Sequence, residues 1–307
     1  MDHTVPIEDW YAAYKPLLFS LAYRMLGSVM DAEDIVQEAF LSLGAAADPA
    51  PIRNGKAYLC KIVTNRCIDR LRSGQAKREV YVGPWLPEPI VTPETDAQAD
   101  PLQAYVRSES VSTAYLLLLQ QLSWVERAVF LLREVLQYDY DEIAGIVGKS
   151  ATNCRQIFHR AKRGISLRPP HDEEAAPVPG AASSRPADPE RTGELVRQFV
   201  QALASGDIAR LLGILSEDAV LYSDGGGKVH AATRPIVGAD RVIRFLTGLL
   251  EKASPAFSFR FARVGSDAGI VTYENGVPQS VFSFHAENGR IAAVYIVVNP
   301  DKLAYVR

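Results

Sequence analysis

A chain of 307 residues, 48% hydrophobic and 22% charged, has enough apolar material for a core and is not low-hydrophobicity disordered sequence; at roughly 100–200 residues per domain its length predicts two or three domains. No apolar run approaches the ~18 residues of a membrane span, and the acidic, aromatic start (Asp2, Glu8, Asp9, Trp10) lacks the basic-then-apolar order of a signal peptide, so a cytoplasmic protein with no membrane partner is expected. The formal net charge of −3 argues against a nucleic-acid partner only while the chain is averaged. Arg53 to Arg78 holds eight basic residues and one acid, and Lys149 to Arg168 six and none. Two phosphate-contacting surfaces would produce such windows, and so would two solvated helix faces. The three cysteines, Cys60, Cys67 and Cys154, have no C-x-x-C spacing, which argues against a disulfide framework and a zinc ribbon; each is expected as a small buried apolar residue.

From Trp10 to about Arg78 apolar residues recur at helical spacing, through Leu18, Leu21, Met25, then Ile35, Val36, Ala39, Phe40, then Leu59, Ile62, Val63, Ile68, and predict three or four helices. Val82 to Pro101 carries five prolines and reads as an extended linker with no regular element. Helical periodicity resumes near Leu102 and ends near Leu167. Pro169 to Pro189 is rich in Pro, Ala and Ser, a second, flexible linker. Beyond Arg191 helical spacing covers Leu195 to Leu203, Ile208 to Leu215 and Arg241 to Leu250. Alternating or β-rich runs follow, at Phe257 to Phe261, Gly269 to Tyr273, Val281 to Phe284 and Ile291 to Val298, divided by Asn275-Gly276 and Asn288-Gly289 turns. Helices followed by an antiparallel meander predict an α+β domain. The resulting organisation is 1–80, a linker over 81–101, 102–168, a linker over 169–190, and 191–307.

Tyr140 to Ile165 has the form of a helix-turn-helix. Asp141 to Val147 makes a short amphipathic helix, Gly148 suits the left-handed turn, and the Ser150 hydroxyl can cap a second helix from Ala151. In that helix Cys154, Ile157, Ala161 and Ile165 face inward, while Asn153, Arg155, Gln156, His159, Arg160 and Arg163 face out. Arg pairs bidentately with guanine and Gln with adenine, and Lys162 is suited to phosphate. A structural helical hairpin with a basic face is the plainer reading of the same pattern.

Leu21-Ala22-Tyr23-Arg24-Met25-Leu26-Gly27-Ser28, followed by Asp31-Ala32-Glu33-Asp34-Ile35-Val36-Gln37-Glu38-Ala39-Phe40, resembles conserved region 2 of bacterial sigma factors of the extracytoplasmic-function type. Ala57-Tyr58-Leu59 and Ile62 to Arg72 continue the resemblance, and the helix-turn-helix lies where region 4 of that family would be. The two regions cover about half the chain. The resemblance implies a promoter-specificity subunit of RNA polymerase that works without a cofactor. Asp34, Gln37, Glu38 and Phe40 would meet the clamp helices of core polymerase, and region 4 its flap. Arg53, Asn54, Lys61, Asn65 and Arg66 would open and read the minus-10 promoter element, since an Asn edge can hold a melted base and Lys and Arg its backbone. Asn153, Arg155, Gln156, His159, Arg160 and Lys162 would read the minus-35 element, His159 standing where an aromatic residue is common.

The helix-then-strand pattern after the second linker resembles the SnoaL-like, or nuclear-transport-factor-2-like, cone. Three motifs resemble signatures of the sigma subgroup that carries it: Trp85-Leu86-Pro87-Glu88-Pro89, Asp224-Gly225-Gly226-Gly227-Lys228 and Asn299-Pro300-Asp301-Lys302-Leu303. Three glycines in a row form a loop open to close backbone approach, Asp224 and Lys228 can clamp a partner segment, and the Trp85 motif is a stiff strip with one large anchor suited to a groove. The expected fold is therefore multidomain: all-α regions 2 and 4, then an α+β cone that regulates them by contact within the chain, with no separate anti-sigma protein. Cone folds also host enzymes with an Asp or His base. Asp218, Asp224, His230, Asp267 and His285 are the candidates, with Tyr222, Phe245, Phe259, Phe261, Tyr273 and Phe282 as cavity lining. No acid/base pair is marked out by spacing, and a non-enzyme is expected. The alternative is a helix-turn-helix repressor with a ligand-sensing or catalytic cone.

Overall fold

Local sequence chemistry sets most helix boundaries. The computed structural model describes residues 7–44, 54–78, 81–93, 111–166 and 189–306. Its contacts divide the chain into two compact units, the first of Met1–Glu79, Asp100–Val106 and Leu118–Arg168, the second of Val80–Ala99, Arg107–Leu117 and Pro169–Arg307. Each is described separately.

In the first unit the apolar stripes of α1 (Ile7–Leu26), α2 (Val29–Gly44) and α3 (Gly55–Arg78) converge. Leu18, Ala22, Met25, Val36, Ala39, Leu59, Val63 and Cys67 are buried there. Gly27 takes a φ of 70° and breaks the chain between α1 and α2. Helix α4 (Thr113–Gln120), which belongs to the second unit as far as Leu117, leads to α5 (Trp124–Phe130), which starts in a reciprocal capping box of Ser123 and Glu126 and runs on as a π-helical turn over Leu131–Val135. A second box, of Asp139 and Glu142, opens α6 (Tyr140–Val147); Gly148 closes it at a φ of 67°, and α7 (Ala151–Ser166) follows. The guanidinium of Arg127, on α5, is buried and donates to the carbonyl of Met25, on α1. Arg72 of α3 stacks 4.8 Å from the Trp124 ring centroid.

The second unit is one seven-stranded sheet of β1 (Val91–Pro93), β2 (Leu215–Asp224), β3 (Ile236–Val237), β4 (Phe257–Val264), β5 (Asp267–Glu274), β6 (Val277–Glu287) and β7 (Arg290–Val297), in the order β1-β4-β5-β6-β7-β2-β3. Helices α8 (Pro189–Ser205), α9 (Ile208–Ile214) and α10 (Ala239–Leu250) pack on one face with Phe199, Leu211, Val242, Leu246, Ile270, Phe284 and Ile296. A short α11 (Pro300–Leu303) follows β7. Alternation sends Val220, Tyr222, Val271, Val281 and Tyr295 to the opposite face, where they meet Leu86, Ala114 and Leu303.

The structure departs from the sequence reading in four places. The sheet is mixed and not a plain meander, because β2 runs parallel to β7. Strands β2 and β3 were not expected; Ser216, Glu217 and Asp218 make the start of β2 polar and solvent-facing. The first linker is not wholly irregular, since β1 (Val91–Pro93) pairs antiparallel with β4, Val91 against Val264. Finally, α8 begins within the stretch assigned to the second linker, the rest of which lies outside the described residues. Cys60, Cys67 and Cys154 are unpaired and buried as expected, and burial pushes the thiol of Cys67 far above its ordinary range. No described helix is long and apolar enough to cross a membrane.

Candidate functional site

Three groups of singled-out residues come together. On α2 the side chains of Asp34, Gln37 and Glu38 are exposed above a buried stripe of Ile35, Val36, Ala39 and Phe40. Phe40 corrects the sequence reading: it is 6% exposed and meets Tyr11 edge-on at 5.0 Å, so it supports the acidic face from beneath and is not part of its surface. Asn54 is also placed differently, because its side-chain oxygen accepts from the amide of Ala57 at 3.0 Å and caps α3. Arg53 lies outside the described residues. Lys61 is exposed and Asn65 half-buried on α3. Arg66 donates to Glu38 and, at 2.6 Å, to Ser42, and Arg70 pairs with Asp31. A residue assigned to polymerase and one assigned to DNA thus hold each other.

The helix-turn-helix presents Asn153, Arg155, Gln156, His159, Arg160 and Lys162 on the exposed side of α7, with Cys154, Ile157, Phe158 and Ala161 buried on the other. The Ser150 hydroxyl accepts from the amide of Asn153 at 3.2 Å and caps the helix. Phe158, absent from the sequence reading, anchors α7 by stacking on Phe130 at 6.0 Å. Arg155 lies over the Tyr140 ring at 5.0 Å, Arg160 pairs with Glu126, and Lys162 lies 3.7 Å from Glu134. Desolvation works against the charge of Glu126, but hydrogen bonds from Ser123 and Arg160 outweigh it and hold its carboxyl below the usual range.

The third group is a clasp in the second unit. Asp224, fully buried at the end of β2, accepts from the Tyr81 hydroxyl (2.5 Å), the Leu86 amide (2.8 Å) and the Lys302 ammonium (2.7 Å). Lys302 also donates to the Leu86 carbonyl at 2.5 Å and sits 4.0 Å from the Trp85 ring centroid. The amide of Gly226 donates to Asp224 at 3.0 Å, the amides of Val298 and Asn299 donate to the Asp224 carbonyl, and the Asn299 amide nitrogen donates to Tyr81 at 3.1 Å. A Cβ on Gly226, at φ 59°, would overlap the Asn299 side chain, and one on Gly225 would overlap the Val229 carbonyl, which is why glycine stands there. The Asn299 oxygen caps α11 by accepting from Asp301 at 3.1 Å, and Lys228 pairs with Asp301 on the surface at 2.5 Å. The main anchor of the strip is Leu86, 0% exposed, with Pro87 buried beside it; Trp85 is half-buried over the ammonium, and Glu88 and Pro89 are half-buried further along. Tyr81 went unnoticed in the sequence. Burial, then the Asp224 carboxylate, pushes its hydroxyl far above the ordinary range.

The candidates for general acid/base work are not gathered. Asp224 and Asp267 fall on the strand positions that face the clasp side of the sheet, in register with Tyr222 and Val271. Asp267 accepts from the Thr113 amide at 2.8 Å, and desolvation pushes its carboxyl up to about 7 against the opposing effects of Thr113 and Arg263. Asp218 is exposed, and His285 lies 3.3 Å from Glu287. Only His230 lines the cavity on the helix side, together with Phe259 and Phe282 of the six expected aromatics. Tyr222 and Tyr273 belong to the opposite face, and Phe245 and Phe261 pack into the helix-side core.

Comparison with known proteins bears on the whole chain. Residues 10–77 match the family model of Sigma-70 region 2, residues 112–164 that of Sigma-70, region 4, and residues 196–294 that of the SnoaL-like domain. The ECF RNA polymerase sigma factor SigJ of Mycobacterium tuberculosis is 32% identical over 95% of this chain and 91% of its own. The probable ECF RNA polymerase sigma factor SigI of the same organism is 29% identical over 98% and 96%. The crystal structure of SigJ superposes with a TM-score of 0.76 at 30% identity, covering 97% of this chain and 98% of that one.

Proposed function

The chain belongs to the extracytoplasmic-function RNA polymerase sigma factors, and from that premise we propose how its residues divide the work of promoter-specific initiation. The carrying observation is the two-faced α7, with a buried apolar side and an exposed row of Asn153, Arg155, Gln156 and His159. That row enters the major groove of the minus-35 element and reads base edges, while Arg160 and Lys162, released from Glu126 and Glu134, hold phosphates. Asp34, Gln37 and Glu38 dock on the clamp helices of core polymerase, and the flap receives region 4. Lys61, Asn65 and Arg66 serve the opened minus-10 strand, which requires the Glu38–Arg66 pair to exchange its partners for polymerase and DNA.

The two promoter elements lie about 25 base pairs apart by their names, ~85 Å at 3.4 Å per pair. A compact unit the size of the first is ~40 Å across, so the unit opens between α3 and α5 on the promoter and gives up the Arg72–Trp124 contact. The second unit regulates this from within the chain: by holding the strip from Tyr81 to Pro93 that follows α3, it acts as a brake on opening and takes the place of a separate anti-sigma protein. It does so in the cytoplasm and without catalysis, the carboxylates Asp224 and Asp267 being engaged on the clasp side of the sheet.

In vitro transcription with core polymerase tests this, comparing the full chain, a truncation after Arg168 and one ending before Asn299. Core-dependent transcripts that rise in both truncations support the brake; a repressor-like footprint on duplex DNA without polymerase, or no core-dependent transcript from any form, refutes the assignment. Asp34→Lys with Glu38→Lys is expected to weaken polymerase binding by roughly tenfold or more in a folded chain, and Arg155→Ala to spare polymerase binding while reducing promoter use.

A further inference from the structure

The exposed cations of α7 are held in two different ways. Arg160 and Lys162 face the carboxylates of Glu126 and Glu134, which occupy the same groups that would meet DNA. Arg155 faces a ring instead, its guanidinium carbon 5.0 Å from the centroid of Tyr140. An aromatic face attracts the cation yet leaves the five N–H donors of the guanidinium to a further partner. The ring itself is braced. Tyr140 is the first residue of α6, whose start is set by the box of Asp139 and Glu142. Phe158, buried, meets the ring edge-on at 6.2 Å. Arg133, from the π-helical turn, has its guanidinium carbon 4.9 Å from the same centroid and donates to the Tyr138 carbonyl at 2.7 Å.

We propose that Tyr140 is a positioning residue for base readout: its ring, fixed by Arg133 and Phe158, presents Arg155 to a guanine edge at one base pair of the minus-35 element. The inference rests on the reading of α7 as the minus-35 helix and deepens it. Arg155 is the fifth residue of that helix, in the N-terminal part that contacts base edges when such a helix enters the major groove. An arginine loose on an exposed face loses rotamer entropy when its fork settles on guanine O6 and N7. One already stacked on a fixed ring has lost part of that freedom before DNA arrives. Arg133 adds charge to the same spot. Neither guanidinium has a carboxylate partner among the described residues, so two cations on one ring create a positive potential that favours the two acceptors of guanine over the amino donor of adenine.

The test is transcription by the full chain with core polymerase from a barcoded library of the promoter upstream of its own gene, randomised over the minus-35 positions, so that counted transcripts give a preference at each base pair. Arg155→Ala is expected to flatten the preference for guanine at one base pair by about tenfold or more. Tyr140→Leu should flatten it at that same base pair by about fivefold, leave the other positions within about twofold, and add nothing in the Arg155→Ala background. Tyr140→Phe keeps the ring and should keep the preference. A loss spread evenly over all positions is what a merely structural role gives, and it overturns the inference. So does an undiminished preference in Tyr140→Leu, or an equal loss in Tyr140→Phe. Arg133→Met leaves the ring in place and replaces Tyr140→Leu if that variant does not fold; a loss of about twofold at the Arg155 base pair is then expected, and no loss there overturns the inference. No change at any position in Arg155→Ala refutes the minus-35 assignment of Arg155 itself, and the positioning role falls with it.

Discussion

Two carboxylate–cation pairs, one in each unit, show how surroundings decide what an ion pair does. Asp224 and Lys302 are 2.7 Å apart with side-chain exposures of 0% and 8%, whereas Glu38 and Arg66 are 56% and 36% exposed. In the first pair desolvation is offset only because the carboxylate is also met by Tyr81, Leu86 and Gly226; taking away one partner strands the other. In the second, water replaces either partner at little cost. The buried pair is therefore a structural commitment that fixes the strip on the sheet, and the exposed pair is a reversible one that can be surrendered to a binding partner.

The sharpest way to break that contrast is Lys302→Met, which leaves Asp224 buried and unpaired; it is expected to destabilise the second unit by about 3–5 kcal/mol, read by urea unfolding. Adding Asp224→Asn, which removes the stranded charge but keeps an acceptor for the Tyr81 hydroxyl and the Gly226 amide, should restore part of the loss, and a cost under about 1 kcal/mol for Lys302→Met would erase the distinction. Leu86→Ala, which removes the apolar anchor but no charge, is expected to cost about 3 kcal/mol.

A milder test uses pH. The carboxyl of Asp267 is raised to about 7 from an ordinary 3.8, so between those values the folded state holds a proton that the unfolded state has released, and stability falls as pH rises through that window. Asp267→Asn, which keeps an acceptor for Thr113, should flatten that slope when unfolding midpoints are compared at about pH 5 and about pH 7.5. The smallest effect is expected at the exposed pair: Glu38→Gln or Arg66→Ala should change stability by less than about 1 kcal/mol, with a coupling in the double variant of the same order.

What the sequence discloses follows the range of the interactions. Helices α1 to α3 and the turn at Gly148 were legible because apolar spacing, caps and a left-handed glycine are local signals. Burial of Phe40 was legible too, since it continues the stripe of Val36 and Ala39, and only the family resemblance moved it to the surface. Strand β2 was hidden by its polar start and by the register shift between Leu215 and Val220. Each motif of the clasp was visible, yet not that all three close on one carboxylate, because the Leu86 amide and Asp224 are 138 residues apart and Lys302 and Leu86 216. Tyr81 carried no signal at all: a tyrosine in a proline-rich stretch acquires its role only when a distant aspartate lies beneath it. The reciprocal grip of Glu38 and Arg66 is likewise a property of two helices in register, which no single spacing expresses.

The 216-residue reach from Leu86 to Lys302 also sets an order of events during synthesis. At about 5–20 residues per second, a ribosome needs roughly ten to forty seconds to travel from one to the other. Throughout that interval α1 to α7 can emerge and fold while the strip has neither Lys302 nor Asn299 to hold it. Every newly made molecule therefore passes through a short unclasped youth, and the strip is fixed on its sheet only once Lys302 has been translated.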